Sequence, residues 1–432
     1  MRLRLRTVGK YVFWTLLMLG LIGWYGLNKI ETSLGLPEHL RLTEGDEQVF
    51  RWLWPVKISG QAVNSILQIE PGPEVVFRPL KTGDSILDLS LFGVIPLRER
   101  VVSVVPKVEV VPGGESIGVM LAEHGMIVAE LARLQTIDGT VVSPAGDAGL
   151  KPGDLLVQIN EVVITGPLDV ERALRSAGSG PVTVKVLRKG EPHLMRVYPA
   201  RVRDESGQVH LRLGVYLEDT AAGVGTLSFY HPASGRYAAL GHMVTDSRTG
   251  EQAIINNGRI VPALIAGIRR GSKGQPGEKI GLFQERAPSL GIITKNSSIG
   301  IFGELTNLVA SNQPTLPVAM AHEVELGPAY IRTVIDGDKV EQFDVKIVKV
   351  NKQTKPGIKG MVIEITDPRL LEITGGIVQG MSGSPIIQNQ KLVGVITHVF
   401  VNDPTRGYGV FAEWMVHEAG LFAQDPAAAP AA

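Results

Sequence analysis

The first apolar segment of the chain contains no charged side chain between positions 11 and 28. Four basic residues precede it, and aromatic residues lie toward its ends. A helix of this length measures about 27 Å, which is close to the hydrocarbon thickness of a bilayer. Basic residues mark the cytoplasmic side of a membrane helix, and Trp and Tyr anchor its interfaces. The pattern therefore predicts a cytoplasmic N-terminus at 1–10, a transmembrane anchor at 11–28 and extracytoplasmic domains after it.

Two other interpretations of this segment stay open. A cleaved signal peptide needs a site of small residues after the apolar run, and only the weak sequence SLG at 33–35 follows. A buried core helix is the second alternative, although the basic residues before the segment favour the anchor.

A strand-like pattern with frequent turns follows from about Val49 to Val111. The segments EVVFRPL and SILDLSLFGVIPL are examples of it. No residue in the region 29–111 belongs to a motif with catalytic chemistry. The region is interpreted either as a small β module or as a linker with its own strand pairing.

The pattern changes again in the region 112–200, where strand and helix periods alternate. The segment SPAGDAGLKPGDLLVQIN at 143–160 makes a turn and then an alternating strand. The segment PLDVERALRSAG has the apolar spacing of a helix, and two further strand-like runs are joined by a turn at Lys189-Gly190. This order resembles a PDZ domain of the kind fused to bacterial proteases.

The PDZ resemblance implies a groove in which an extended peptide is added as a strand and its carboxylate is held by backbone N–H groups. The segment ESIGVML matches the carboxylate loop, and its glycine would let the backbone curl around an anion. The expected groove residues are Ile117, Gly118, Val119, Met120, Val170 and Leu174. The alternative is a PDZ fold that acts as a spacer without a ligand.

The segment GGIVQGMSGSPIIQNQKLVGVITHVF, from Gly375 to Phe400, places a serine among small residues just before β structure. A serine nucleophile needs an exposed Oγ on a turn and nearby N–H groups for the oxyanion. GMSGSP supplies Ser382 as the nucleophile, with Gly380 N–H and Ser382 N–H as the predicted oxyanion hole. This element resembles that of chymotrypsin-like serine proteases, with Ser384 where Gly is commoner.

A serine nucleophile also needs a base. His242, in RYAALGHMVTD, follows a strand-like run and precedes Ser382, the order found in that protease fold. The other histidines are interpreted as packed or solvated. The chain contains no H-E-x-x-H motif, which argues against a zinc protease, and we expect no metal and no cofactor.

The acidic member of the site is the least defined. Asp367, in EITDPRL, lies only 15 residues before Ser382. That separation is shorter than the usual barrel arrangement, and an Asp before a Pro also shapes turns.

Composition excludes several other classes of protein. The chain has 43 basic and 43 acidic side chains and no long basic run after the N-terminus, so nucleic-acid binding has no electrostatic support. The chain has no cysteine, which excludes disulfides, thiolate metal sites and a cysteine nucleophile.

Two long segments give a more specific resemblance. LGVYLEDTAAGVGTLSFYHPASGRYAALGHMVTD and GGIVQGMSGSPIIQNQKLVGVITHVFVNDPTRGYGVFAEWM resemble the stage IV sporulation protein B family. The order of anchor, β region, PDZ domain and peptidase is similar over nearly the whole chain. By motif, the resemblance places the nucleophile at Ser382, the base at His242, the acidic partner at Asp367 and a required asparagine at Asn296.

The resemblance implies a serine endopeptidase that is secreted from the forespore into the space between its two membranes. Such a peptidase cleaves itself near its N-terminus and cleaves a membrane-bound inhibitory partner, which leads to processing of pro-sigma-K by an intramembrane metalloprotease. The alternatives are a quality-control protease with many unfolded substrates and a non-catalytic PDZ scaffold.

The expected architecture is mainly β, with a transmembrane helix, a PDZ domain and a chymotrypsin-like double β-barrel. We expect the peptidase domain at 201–423 and a disordered tail at 424–432, where Ala and Pro predominate.

Overall fold

The computed structural model describes residues 36–422 and a few earlier positions. Its gaps within that range are 53–54, 61–64, 71, 73, 121–124, 179, 219–220, 246–251, 254, 256–257, 283–287, 307–312 and 354. The predicted anchor at 11–28 lies mostly outside the described residues, and the tail at 424–432 lies wholly outside them. Within the described part of the chain, no helix has the length and apolar character needed to cross a membrane.

The region after the anchor folds as a small β module rather than as an extended linker. Its strands are β1 (His39–Thr43), β2 (Gln48–Arg51), β3 (Val56–Gly60), β4 (Leu67–Glu70), β5 (Glu74–Pro79), β6 (Gly83–Leu91), β7 (Ile95–Pro96) and β8 (Arg100–Val105). One sheet has the order β1-β8-β6-β3 with β7 on β6, and the other has the order β2-β5-β4. Alternating residues of β6 are buried, so the apolar face of this strand packs into the module's core.

The next two strands begin the peptidase. They are β9 (Glu109–Pro112) and β10 (Ser116–Met120), and every residue of β10 is buried. After β10 the chain leaves this sheet and forms the PDZ domain.

The PDZ domain extends further along the chain than the sequence pattern indicates. Its elements are β11 (Met126–Leu131), β12 (Leu134–Gln135), β13 (Val141–Val142), α1 (Pro144–Asp147), β14 (Leu155–Ile159), β15 (Val162–Val163), α2 (Pro167–Ala177), β16 (Val182–Arg188), β17 (Glu191–Val197), β18 (Ala200–Arg203), β19 (Val209–Arg212) and β20 (Val215–Glu218). The main sheet has the order β17-β16-β14-β11-β20, with β15 on β14. The predicted end at 200 therefore omits an edge strand of this sheet.

The chain then returns to the sheet that it left at β10. The new strands are β21 (Ala221–Tyr230), β22 (Arg236–Ala239), β23 (Arg259–Pro262), β24 (Leu264–Arg269), β25 (Glu278–Leu282), β26 (Gly291–Ser297) and β27 (Gly300–Leu305). The order β10-β23-β26-β27-β22-β21 closes on itself because β10 also pairs with β21. We call this ring barrel 1. The PDZ domain is inserted between two of its neighbouring strands.

A second closed barrel, which we call barrel 2, follows. Its region contains β28 (Leu316–Pro317), a 3₁₀ turn (Ala321–Glu323), β29 (Gly327–Val334), β30 (Val340–Val350), β31 (Met361–Ile365), α3 (Pro368–Thr374), β32 (Pro385–Gln388), β33 (Lys391–Phe400), β34 (Asp403–Phe411) and α4 (Ala412–Glu418). The barrel order is β29-β30-β31-β34-β33-β32. The two six-stranded barrels are consistent with the expected double-barrel peptidase.

The predicted PDZ carboxylate loop is wrong. The residues at 117–120 form most of β10, where Gly118 pairs with Val224 on β21 and with Val261 on β23. A strand that is buried on both faces has a continuous apolar sequence. Such a sequence does not indicate the sheet to which the strand belongs. Val170 and Leu174 do lie on α2, and they pack into the apolar core of the PDZ domain.

The N-terminal module contacts barrel 2 through an ion pair. Arg41 Nη1 donates to Glu413 Oε1 at 2.8 Å, and its guanidinium lies 5.3 Å from the centre of the Trp414 ring. The Glu413 side chain is only 5% exposed, so removing Arg41 would leave a buried carboxylate without this partner.

Because the PDZ domain is inserted between the barrel strands β10 and β21, the structure predicts which fragment of this domain folds alone. A fragment spanning 125–218 should fold, because Leu213, Val215 and Leu217 complete the core and β20 pairs with β11. A fragment spanning 112–200 should not fold, because it lacks β20 and exposes the apolar barrel strand β10. Near-native circular dichroism and dispersed amide NMR signals from the shorter fragment would contradict this boundary.

Candidate active site

The turn that carries Ser382 joins α3 to β32 in barrel 2. Its last residues are closed by a hydrogen bond from Ser384 N to Met381 O at 2.9 Å. Ser382 is partly exposed, and its Oγ donates to Thr397 O at 2.7 Å. The hydroxyl therefore lies at the surface of a tight turn, as the sequence motif predicts for a nucleophile.

Gly383 allows this turn to lie directly against barrel 1. Its φ is +97°, in the left-handed region that favours glycine. A Cβ atom at this position would overlap the carbonyl oxygen of Thr226 on β21. Any larger residue at 383 would therefore push the nucleophile turn away from barrel 1.

His242 lies just after β22 of barrel 1. Leu240 and Gly241 both have positive φ values, so the chain bends sharply before the histidine. The Nδ1 atom of His242 lies 2.8 Å from Met243 O. A carbonyl can only accept, so Nδ1 carries the proton and Nε2 of the neutral ring is left as the basic nitrogen.

Burial keeps this histidine neutral. It lowers the pKa of His242 below the ordinary value of 6.5, while the bond to Met243 acts in the opposite direction. The ring of His398 lies 4.9 Å away from that of His242. Burial, together with the repulsion that a protonated His242 ring and Lys359 would exert, lowers the pKa of His398 to about 4.

Asn296 holds the segment that follows His242. On β26, its Oδ1 accepts from Val244 N at 3.0 Å and its Nδ2 donates to Val244 O at 2.9 Å. Nδ2 also donates to Ala253 O at 3.1 Å. Both backbone groups of Val244 are thus fixed, and with them the adjacent Met243 carbonyl that orients His242.

Asp367 has a different role from the predicted one. Its carboxylate accepts from Leu370 N at 2.9 Å and caps the N-terminus of α3. The ring of His242 is oriented by a main-chain carbonyl instead. Asp367 lies close to Ser382 in the sequence because the helix that it caps begins at Pro368 and leads into the turn that carries Ser382.

Ser382 and His242 line one cleft between the barrels. Its volume is about 590 Å³, and Gly380, Thr397 and His398 also line it. The structure thus brings the predicted nucleophile and base to one site, with Asn296 behind the base.

Sequence reasoning missed a buried lysine under this turn. Lys279 on β25 donates its backbone N–H to Gln379 O at 2.9 Å, and its aliphatic stem lies under Gly380. Its Nζ donates to Thr333 Oγ1 at 2.8 Å, and burial lowers its pKa to about 7. Nothing in the local sequence GQPGEKIGL indicates that Lys279 lies under the nucleophile turn, since the residues that it contacts lie elsewhere in the chain.

The site combines a serine on an exposed turn with a neutral histidine, in one cleft between two β-barrels. This combination defines a serine peptidase of the double-barrel class. The comparisons agree with this class. Residues 209–416 match the family described as SpoIVB peptidase S55, and residues 139–188 match the PDZ domain family. The chain thus carries a SpoIVB-type S55 peptidase domain together with a PDZ domain, and it is a serine peptidase.

Solved structures provide a more distant comparison. The active form of the Rv3671c protease from M. tuberculosis is 16% identical, with 46% of this chain and 74% of that chain covered and a TM-score of 0.30. An inactive form of the same protease is 17% identical, with 46% and 84% covered and a TM-score of 0.26. No curated protein matches the chain significantly.

The burial of His242 predicts the acid limit of activity. The rate at which a fluorophosphonate labels Ser382 should fall as the pH decreases, with a midpoint below 6.5, because the base must be neutral and burial lowers its pKa. His193→Gln on the PDZ strand β17 should leave the profile unchanged, since that side chain is exposed outside the site. A midpoint at or above 6.5 would contradict the buried, neutral base.

Proposed function

We propose that the protein is an endopeptidase in which Ser382 is the nucleophile and His242 is the general base. The observation that carries the proposal is the shared cleft, to which barrel 1 contributes the histidine and barrel 2 the serine. The tautomer set by Met243 leaves Nε2 free to accept the serine proton.

The reaction begins when a substrate carbonyl enters the cleft. The Ser382 hydroxyl leaves Thr397 O and transfers its proton to His242 Nε2 as Oγ attacks the carbonyl carbon. The imidazolium then donates that proton to the departing amine. Water, activated by the same nitrogen, hydrolyses the acyl-enzyme and restores Ser382.

The developing oxyanion is stabilised by the N–H groups of Gly380 and Ser382. Among the described residues, neither group donates to a backbone carbonyl. Both remain available for a substrate oxygen, as an oxyanion hole requires. Asn296 contributes by positioning, since it fixes the segment whose carbonyl orients the base.

In the cell, the peptidase acts as a sporulation signal. It is anchored by the segment 11–28, for which the sequence predicts a membrane helix, with its domains in the space between the forespore membranes. It cleaves itself near the N-terminus and cleaves a membrane-bound inhibitory partner. The consequence is processing of pro-sigma-K. The SpoIVB-type match and the basic, apolar N-terminal pattern support this proposal.

Docking of the partner would use the PDZ domain. The groove cannot involve 117–120, which lie inside barrel 1. Among the described strands, β20 is an edge strand that pairs only with β11. Its Val215 and Leu217 pack against the same apolar core as Val170 of α2, and the free side of this strand is where a peptide would add.

A time course in membranes tests anchoring and self-cleavage together. The newly made full-length chain should resist carbonate extraction, and a shorter extractable product should appear later. Ser382→Ala should abolish this product because it removes the nucleophile while the turn is kept. Ser384→Ala is the matched control and should release the product normally, since the Ser384 hydroxyl has no hydrogen-bond partner among the described residues.

Two outcomes would contradict the proposal. Equal release from the Ser382→Ala chain would assign the cleavage to another protease. Carbonate extraction of the newly made full-length chain would exclude the anchor.

A further inference from the structure

The turn that carries Ser382 belongs to barrel 2, but barrel 1 holds it. Thr226, in the middle of β21, is fully buried. Its Oγ1 donates to Gly380 O at 2.7 Å, and its backbone N–H donates to Ser382 O at 3.1 Å. One residue of barrel 1 thus binds the carbonyls on either side of Met381.

The two remaining carbonyls of the turn also have fixed donors. Gln379 O accepts from Lys279 N, and Met381 O accepts from Ser384 N, both at 2.9 Å. Every carbonyl from 379 to 382 is therefore held by a donor of the protein. Among these four carbonyls, that of Gly380 is bound by a side chain and the other three are bound by backbone N–H groups.

This arrangement determines where the N–H groups point. In a trans peptide, the carbonyl of one residue and the N–H of the next point in opposite directions. The Thr226 hydroxyl holds the peptide between Gly380 and Met381, which lies between the two peptides that carry the N–H groups of Gly380 and Ser382. A rotation of this middle peptide would change the angle between those two N–H groups. Glycine allows such rotations at little cost. The Thr226 contact at the carbonyl end of this peptide, together with the bond from Met381 N to Val378 O at 3.1 Å at its other end, opposes them.

We propose that Thr226 is a positioning residue that keeps the oxyanion turn in its active orientation. It acts through Gly380 and Ser382 and does not touch the substrate. The inference rests on the proposed role of Ser382 as the nucleophile, and it adds a specific contact by which barrel 1 controls the reactivity of barrel 2.

Three substitutions separate the hydroxyl from the rest of the side chain. Thr226→Val keeps the shape and the backbone N–H but removes the donor, and Thr226→Ser keeps the donor. Ser228→Ala is the matched control, because Ser228 is also fully buried on β21 and its hydroxyl has no hydrogen-bond partner among the described residues. Thr226→Ala provides a second variant without the hydroxyl if the valine interferes with folding.

The measurement is the labelling of the full chain by a fluorophosphonate, whose phosphoryl oxygen occupies the oxyanion hole. The maximal labelling rate should fall by roughly 10- to 100-fold in Thr226→Val and in Thr226→Ala, somewhat less than for direct loss of an oxyanion donor. The probe concentration for half-maximal rate should change by less than about twofold, since the ground-state cleft is kept. Thr226→Ser and Ser228→Ala should label at nearly the wild-type rate.

A wild-type labelling rate in Thr226→Val or Thr226→Ala would overturn the proposal. So would an equal loss in Thr226→Ser, or an effect on the half-maximal concentration alone, because either result indicates general packing. Ser382→Ala is labelled in parallel. If it still reacts at the cleft, the proposed nucleophile fails and the inference fails with it; if it is inert while Thr226→Val is fully active, only the inference fails.

Discussion

The contact between Gly383 and β21 is the constraint on which the rest of the site depends. The nucleophile turn lies so close to the Thr226 carbonyl that no side chain fits at position 383. Because of this closeness, Thr226 can bind Gly380 and Ser382 directly. The histidine and the serine come from different barrels, and their relative position is only as fixed as this interface. A buried contact of this kind transmits small displacements rather than absorbing them.

The PDZ domain is attached to the same part of barrel 1. It leaves the barrel after β10 and returns at β21, and these two strands pair with each other. Its edge strand β20 ends at Glu218, and β21 begins at Ala221. Only a short segment of the chain therefore separates the edge strand of the PDZ domain from Thr226. The N-terminal module contacts the opposite end of the chain, where Arg41 pairs with Glu413 on α4.

Local patterns predicted the parts of the molecule that local chemistry determines. The small-residue turn around Ser382, the amphipathic helix α2 and the strand before His242 are all visible in short segments. The sequence pattern assigns strand β10 to the wrong domain, because its partners β21 and β23 lie more than 100 residues away and its apolar pattern fits either sheet. Asp367 was predicted from motif alone, and its helix-capping role follows from the helix that begins at Pro368. Thr226 could not be found from sequence, since its function comes from a contact between barrels.

The central claim is that both barrels jointly build an oxyanion hole in front of Ser382. A crystal structure of the protein with a peptidyl boronate tests this claim most directly. The account predicts a covalent bond from Ser382 Oγ to boron, one boronate oxygen bound by the N–H groups of Gly380 and Ser382, and the Thr226 contact to Gly380 O unchanged. A boronate attached elsewhere, or a turn whose Gly380 carbonyl points at the boronate, would contradict it.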